Sequence, residues 1–351
     1  GSGVMGAGIA AHCANAGCEV LLLDIVPKDS EDRSALARGA ILKMHKSNPE
    51  MLTHKRNAKR ITAGNIEDDL ERLKDFDWVV EVIIENLDIK RSLYSNISKH
   101  IGPSTILSSN TSTLPRSELV SELPGDIASR FLITHFFNPP RYLPLLEVVT
   151  APEVDEAVVE RFCTFADLNL GKRVTMCNDR PGFIGNRLGV YFIQRAFKAT
   201  LDHGLSIEQA DAMLGRPIGL PKTAVFALMD LVGIDLIPHV TESLLSHLPD
   251  DDPSHEIAGT GEEIVMSMIE DGYTGRKGKG GFYRLNREGG KKVKEARDLS
   301  NGEYKTANRR AAFPSAKMGK RGLAPLMDCD DDGARLVTDV LLDSLSYAAH
   351  I

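Results

Sequence analysis

The first six residues, Gly1-Ser2-Gly3-Val4-Met5-Gly6, constrain the fold more than any other stretch. They spell G-x-G-x-x-G. An Ala-rich, helix-forming run follows to Ala16 and stops at Gly17. Val20-Leu21-Leu22-Leu23 then reads as a buried strand that ends in Asp24. In such a turn the first glycine permits a tight bend and the second lets the backbone approach a pyrophosphate. The third lets the helix pack closely on a sheet with its N-terminus facing the phosphates. Gly1, Gly3, Val4, Met5 and Gly6 are therefore expected to cradle a dinucleotide. Asp24, about 20 residues on, would accept hydrogen bonds from both ribose hydroxyls and repel a 2′-phosphate. That selects NAD as the cofactor.

Strand and helix patterns alternate after this point. Arg60-Ile61-Thr62, Trp78 to Ile84, Thr105 to Ser108, Phe131 to Thr134, Leu143 to Val149 and Arg173 to Cys177 read as strands. Helical patterns fall between them: a long basic region from Ser30 to Arg60, a short acidic helix from Ile66 to Leu73, Leu87 to Ile101, and Glu153 to Leu168. Such alternation predicts an α/β fold, a Rossmann-like, parallel, doubly wound sheet over residues 1–180. Asp179-Arg180-Pro181-Gly182 is a sharp turn, and the pattern beyond it is all helical. Ile184 to His203 ends on Gly204, Ser206 with Gln209 spells a capping box, and further helices span Ala224 to Val232 and Leu236 to Leu248. This second domain is placed at 181–295. Residues 296–351 are read as a linker leading into a further helical segment.

One stretch carries chemistry of its own, Phe131 to Val149 (FLITHFFNPPRYLPLLEVV). An apolar strand delivers His135 to the point where Asn138-Pro139-Pro140 must break it. A second apolar run carries Glu147. Histidine is the side chain best able to take a proton at neutral pH, and a carboxylate can orient it and raise its basicity. Glu85, the Ser109 to Ser112 loop and His135 all fall at the carboxyl ends of expected strands, where open α/β sheets bind ligands. Ser112 is the expected substrate contact among the loop hydroxyls. Asn186, in the first turn of the helical domain, is either a second substrate contact or a structural N-terminal polar residue.

The net charge of −7 excludes nucleic acid as the main partner, and no apolar run reaches the roughly 18 residues of a membrane span. Five scattered cysteines without a C-x-x-C pair indicate a reducing compartment, taken to be the cytoplasm, and no structural metal. Lys43, Lys46, Lys55, Arg56, Lys59 and Arg60 form either a solvated helical face or a landing surface for the phosphates of a bulky substrate carrier. Gly275 to Tyr283 (GRKGKGGFY) lacks a Walker spacing and reads as a folded-back tail that seals the helical domain. Residues 304–322, with six basic and no acidic residues, read as linker.

These motifs together resemble the L-3-hydroxyacyl-CoA dehydrogenases. The matching text is GSGVMGAGIA, SSNTST, THFFNPPRYLPLLEVV, NDRPGFIGNRL and GRKGKGGFYRL, spread over about residues 1–285. The resemblance implies that His135 is the catalytic base and Glu147 its partner, with Ser112 and Asn186 contacting substrate. It implies that Asp24 binds the adenosine ribose, that Glu85 and Lys90 lie on the cofactor side, and that Asn138 helps to hold the histidine beside the substrate. It further implies an acyl-CoA substrate, NAD-dependent oxidation to a 3-ketoacyl-CoA within fatty-acid β-oxidation, and a homodimer formed through the helical domain. The basic region and the residues after about 290 look more like larger bacterial fusions with an enoyl-CoA hydratase.

Two other functions fit parts of the same text. One is hydride chemistry on a small free hydroxy acid, which has no use for the basic surface at 43–60. The other is a structural protein that kept the dinucleotide fold without turnover, against which Ser112, His135, Glu147 and Asn186 argue together. Because residue 1 is already the first glycine, a short β-strand is expected upstream of it. At least one more helical segment is expected after Ile351, with an enoyl-CoA hydratase beyond. Residues 1–351 alone are expected to misfold or aggregate.

Overall fold

The computed structural model describes residues 1–287, 290–308 and 310–351, with Ser243 described by its backbone alone. The chain divides into two compact units, 1–184 and 185–351.

In the first unit the glycine turn opens α1 (Val4–Asn15), and β1 (Val20–Asp24) follows it. The rest of the unit comprises α2 (Ala35–Met44), β2 (Ile61–Asn65), β3 (Trp78–Glu81), α3 (Leu87–Ile97), β4 (Ile106–Ser109), α4 (Arg116–Val120), α5 (Gly125–Ala128), β5 (Phe131–Phe136), β6 (Leu145–Val149), α6 (Glu156–Leu168) and β7 (Arg173–Cys177). Every position of β5 is buried, which is why Phe131-Leu132-Ile133 run apolar without alternation. Burying a side chain such as Phe131, Leu132 or Ile133 contributes roughly 1.5–3 kcal/mol each.

β1 pairs with β2 in parallel, and a five-stranded sheet runs in the order β3-β4-β5-β6-β7. The sheet is not wholly parallel, as the strand–helix alternation had suggested. β6 runs antiparallel to β5, because the short turn around the two prolines reverses the chain without the helical crossover that a parallel neighbour requires. Between β1 and β3 lies an apolar cleft of about 430 Å³, lined by Leu21, Leu23, Trp78, Val80, Ile106 and Phe162 among others. The Ser30 to Arg60 region is helical only in α2 and in a 3-10 turn at Lys55–Arg60, and the acidic segment is a 3-10 turn at Leu70–Asp75. In α3 the buried stripe is Lys90, Tyr94 and Ile97, while Ile89 is 45% exposed. A lysine and a tyrosine thus face inward in this helix, with Leu93 packed partly against the same core.

The second unit contains α7 (Gly185–Asp202), α8 (Ile207–Met213), α9 (Phe226–Val232), α10 (Leu236–Leu245), α11 (Ser254–Ile257), α12 (Glu262–Glu270), β8 (Tyr283–Asn286), β9 (Val293–Arg297), β10 (Tyr304–Thr306), α13 (Leu323–Met327) and α14 (Asp332–His350). The Ser206/Gln209 capping box starts α8 as its sequence predicts. Phe197, Phe226 and Phe282 meet edge to face at the centre, with centroids 5.0–5.8 Å apart. The glycine-rich tail does seal this unit. Asp230 accepts hydrogen bonds from the Phe282 and Tyr283 amides at 2.7 and 2.8 Å, and a Cβ on Gly281 would stand 2.0 Å from its carboxylate. The unit is not all helical, because β8, β9 and β10 form an antiparallel sheet. Nor are residues 296–351 a linker, since Ala296, Leu326, Leu336, Val337 and Val340 are buried in the same core. Arg309, one of the basic residues of the expected linker, lies outside the described residues.

Candidate active site

The reversal of β6 places Glu147 directly opposite His135 in the ladder. Cross-strand partners project to the same face, and here His135 Nδ1 stands 2.7 Å from Glu147 Oε2. The other oxygen, Oε1, accepts the Ile184 amide at 3.0 Å. A carboxylate can only accept, so Glu147 fixes the imidazole proton on Nδ1 and leaves the Nε2 lone pair free. Ser112 Oγ lies 3.1 Å from that Nε2. His135 is 4% exposed, and its ring is tilted against Phe137 and Phe183 at centroid distances of 4.6 and 5.7 Å. Phe183 sits at φ +47°, a left-handed conformation that a bulky residue adopts only where its surroundings enforce it. Cys177 flanks Glu147, and burial together with that carboxylate pushes its thiol up to about 12.

The glycine turn rests on the same sheet end. A Cβ on Gly1 would lie 2.2 Å from the Val82 carbonyl oxygen, and one on Gly6 would lie 1.9 Å from that of Gly1. Gly3 is different: a Cβ there would meet nothing within 4 Å. Packing therefore demands the first and third glycines, whereas the second leaves open space over the turn. Gly3 caps α1 without a side-chain bond, so first-turn N–H groups stay available to an anion. Val4 heads the helix, 65% exposed, followed by Met5. Asp24 closes β1 beneath the turn and accepts the Ser2 amide at 2.6 Å and the Ser2 hydroxyl at 2.5 Å. Burial opposes its ionisation, but the Ser2 and Ile25 donors outweigh burial and hold the carboxyl below its usual range. An uncapped helix start, room over Gly3 and an ionised strand-end carboxylate suit a dinucleotide.

Glu85 gathers the loop that carries Ser112. Its Oε1 accepts the Thr111 hydroxyl, the Ser112 amide at 3.0 Å, and the Thr113 amide and hydroxyl at 3.2 Å. Burial raises its pKa, but Lys90, the Thr111 hydroxyl and the Ser112 amide win and hold the group ionised. Lys90 itself is buried, with its amine 2.8 Å from Glu81 and 3.2 Å from Glu85. Asn138 is exposed, and Asn186 is the second residue of α7 in the other unit. Two residues here escaped the sequence reading. Asn110 Oδ1 accepts the Phe136 amide at 3.0 Å and so holds the strand just past His135. Glu81, 3% exposed, anchors Lys90. Its one signal was a charge inside the apolar run Val79-Val80-Glu81-Val82-Ile83-Ile84.

A glycine turn over a strand-end carboxylate, beside an imidazole held between hydroxyl and carboxylate, defines a dinucleotide-binding dehydrogenase architecture. Residues 1–180 match the NAD binding domain of 3-hydroxyacyl-CoA dehydrogenase, and residues 182–285 match its C-terminal domain. The chain belongs to the 3-hydroxyacyl-CoA dehydrogenase family. A "Probable 3-hydroxyacyl-CoA dehydrogenase" of Deinococcus radiodurans is 42% identical over 288 residues, which is 82% of this chain and 82% of its own length. A Bacillus subtilis protein of the same name is 37% identical over all of this chain and 46% of its own. The solved (S)-3-hydroxybutyryl-CoA dehydrogenase of Ralstonia eutropha gives a TM-score of 0.63 at 28% identity, covering 79% of this chain and 94% of that one. Several of the curated relatives are about twice as long, so that the chain spans about half of their length.

Proposed function

We propose that this protein oxidises an L-3-hydroxyacyl-CoA to the 3-ketoacyl-CoA with NAD as cofactor, a step of fatty-acid oxidation. The observation that carries the reading is His135, with Nδ1 bound to Glu147 and Nε2 facing Ser112. NAD, when bound, supplies the hydride acceptor. Ser112 Oγ–H marks the place where a substrate hydroxyl can donate to Nε2. As that proton moves to Nε2 the ring becomes cationic, and the carboxylate 2.7 Å away stabilises it. Phe137 and Phe183 shield the ring from water, which strengthens this attraction. Base catalysis of this kind contributes about 10²–10⁴-fold. In the reverse direction His135 returns the proton to the developing alkoxide.

In this reading the glycine turn, Asp24 and Glu85 hold the cofactor, with Lys90 acting through Glu85, and Ser112, Asn138 and Asn186 meet the substrate. The CoA moiety is supported by the basic stretch. Lys43, Lys46, Lys55, Arg56 and Lys59 are exposed and form no ion pair among the described residues, whereas Arg60 pairs with Glu19. A homodimer, a neighbouring enoyl-CoA hydratase and a cytoplasmic location belong to the same proposal. No helix among the described residues is long and apolar enough to cross a membrane.

Absorbance at 340 nm, recorded with an acyl-CoA series and with free hydroxy acids, tests it. The thioesters should be strongly preferred. His135→Gln should keep its NAD affinity and lose most of kcat, and a rate within about tenfold of wild type would sink the assignment. Equal kcat/KM for free acid and thioester would favour the free-acid reading. No turnover of either would favour a non-catalytic protein.

A further inference from the structure

The Glu81 carboxylate is almost fully buried and yet satisfied by four donors. Oε1 accepts the Ile83 amide at 2.6 Å and Lys90 Nζ at 2.8 Å. Oε2 accepts the Tyr94 hydroxyl at 2.5 Å and the Ser109 hydroxyl at 2.7 Å. A fold that needed only stability would do as well with apolar residues here, since a buried ion pair rarely outweighs its own desolvation. What the arrangement secures is a position. Two routes lead from Glu81 to the same loop. On one, Ser109 Oγ donates to Glu81 and accepts the Thr111 amide at 3.1 Å. On the other, Lys90 Nζ bridges to Glu85 Oε2, while Glu85 Oε1 gathers Thr111, Ser112 and Thr113. Both routes end on the residues that bring Ser112 Oγ to 3.1 Å from His135 Nε2.

We infer that Glu81 is a positioning residue for the reaction: acting through Ser109 and through Lys90–Glu85, it fixes the 111–113 loop and so the Ser112–His135 contact. The inference rests on the proposed roles of Ser112 and His135. Its energetic logic is that of a charged strut. With Glu81 ionised, Lys90 is shared between two carboxylates. Without that charge the hold on Lys90 shifts toward Glu85, and Ser109 loses its acceptor.

Glu81→Gln is the mildest probe. A glutamine oxygen still accepts Ile83 and Lys90, while its NH2 faces two hydroxyls that can turn to accept. The expected result is a kcat about tenfold lower, with KM for NAD raised by a smaller factor, because Lys90–Glu85 also serves the proposed cofactor side. The decisive measurement repeats Glu81→Gln in a Ser112→Ala background. If Glu81 works through Ser112, the second loss should shrink to less than about twofold, because residues acting as a unit are not additive. A merely structural role would give the same factor in both backgrounds, and that result, or an unchanged kcat in Glu81→Gln, overturns the inference. Should Glu81→Gln not fold, Ser109→Ala cuts one route with little bulk change and should show the same non-additivity. A turnover-free readout separates this inference from the function itself. In ¹⁵N-histidine NMR spectra, the His135 Nε2 signal should shift in Glu81→Gln toward its position in Ser112→Ala. An inactive wild type would sink the function, whereas an unmoved His135 signal would sink the strut.

Discussion

Glu147→Gln isolates the one interaction that makes His135 a base. Glutamate offers two acceptors, and both are in use, Oε2 to His135 Nδ1 at 2.7 Å and Oε1 to the Ile184 amide at 3.0 Å. Glutamine offers one acceptor and one donor. If its oxygen stays with Ile184, its NH2 faces Nδ1 and selects the tautomer protonated on Nε2, which cannot take a proton from substrate. If its oxygen stays with His135, the Ile184 amide is left facing a donor, at a cost of about 1–3 kcal/mol. In either orientation the imidazolium loses its counter-charge, worth up to about 4 kcal/mol for unit charges about 4 Å apart at an effective dielectric of about 20. A kcat loss of about 10²–10³-fold follows, equivalent to about 3–4 kcal/mol. NAD affinity should stay within about twofold, because Glu147 stands opposite His135 on β6, whereas the glycine turn packs on Val82. Initial rates at 340 nm, with calorimetric titration of NAD, read both quantities. A variant within about tenfold of wild type in kcat would refute the tautomer argument. A parallel loss of NAD affinity would show that the damage is general.

Two further outcomes follow from other parts of the structure. Gly3→Ala adds a Cβ to open space, so thermal stability should hold while NAD affinity falls by at least about tenfold; unchanged affinity would show that no phosphate approaches Gly3. Asp211 is partly buried, and desolvation pushes its carboxyl up to about 6 although the amides of Val225, Phe226 and Ala227 pull the other way. The folded carboxyl therefore holds its proton more tightly than the unfolded one, and the stability this contributes at low pH is lost as pH rises from about 4 to about 6. The stability gap between wild type and Asp211→Asn should narrow across that window by at most about 3 kcal/mol, and a gap that stays constant or widens would contradict it.

Much of the site was legible because its residues stand at strand ends. Asp24 and His135 close apolar runs, Ser112 lies three residues past β4, and a polar residue in such a place points toward ligand. The capping box at Ser206 and the strand Arg173 to Cys177 were legible for local reasons, a side-chain cap and a short Val-Thr-Met-Cys stretch between glycine and turn. The direction of β6 was not legible, since LLEVV reads the same whichever way it pairs. Glu81 was hidden by the opposite problem, and Lys90 was named through the resemblance alone. Each looks like a surface charge, and only the tertiary structure shows that the two bury one another. The strands β8 to β10 alternate apolar residues with Arg, Lys and Glu among glycines, a pattern that propensity cannot tell from a solvated loop.

The register of His135 against Glu147 has an evolutionary consequence. Because the two are opposite partners in an antiparallel ladder, the distance between them is a property of the hydrogen-bonded strands and not of the connection that joins them. Surface changes at Arg141 to Leu143 can then accumulate without disturbing the pair, while Asn138 stays constrained by its proposed role at the substrate. A single residue lost inside β6 would instead turn the carboxylate to the far side of the sheet. Selection on this hairpin should accordingly tolerate drift in the loop and none in strand length, so that substrate-facing variety accumulates beside a proton-transfer pair whose spacing is inherited intact.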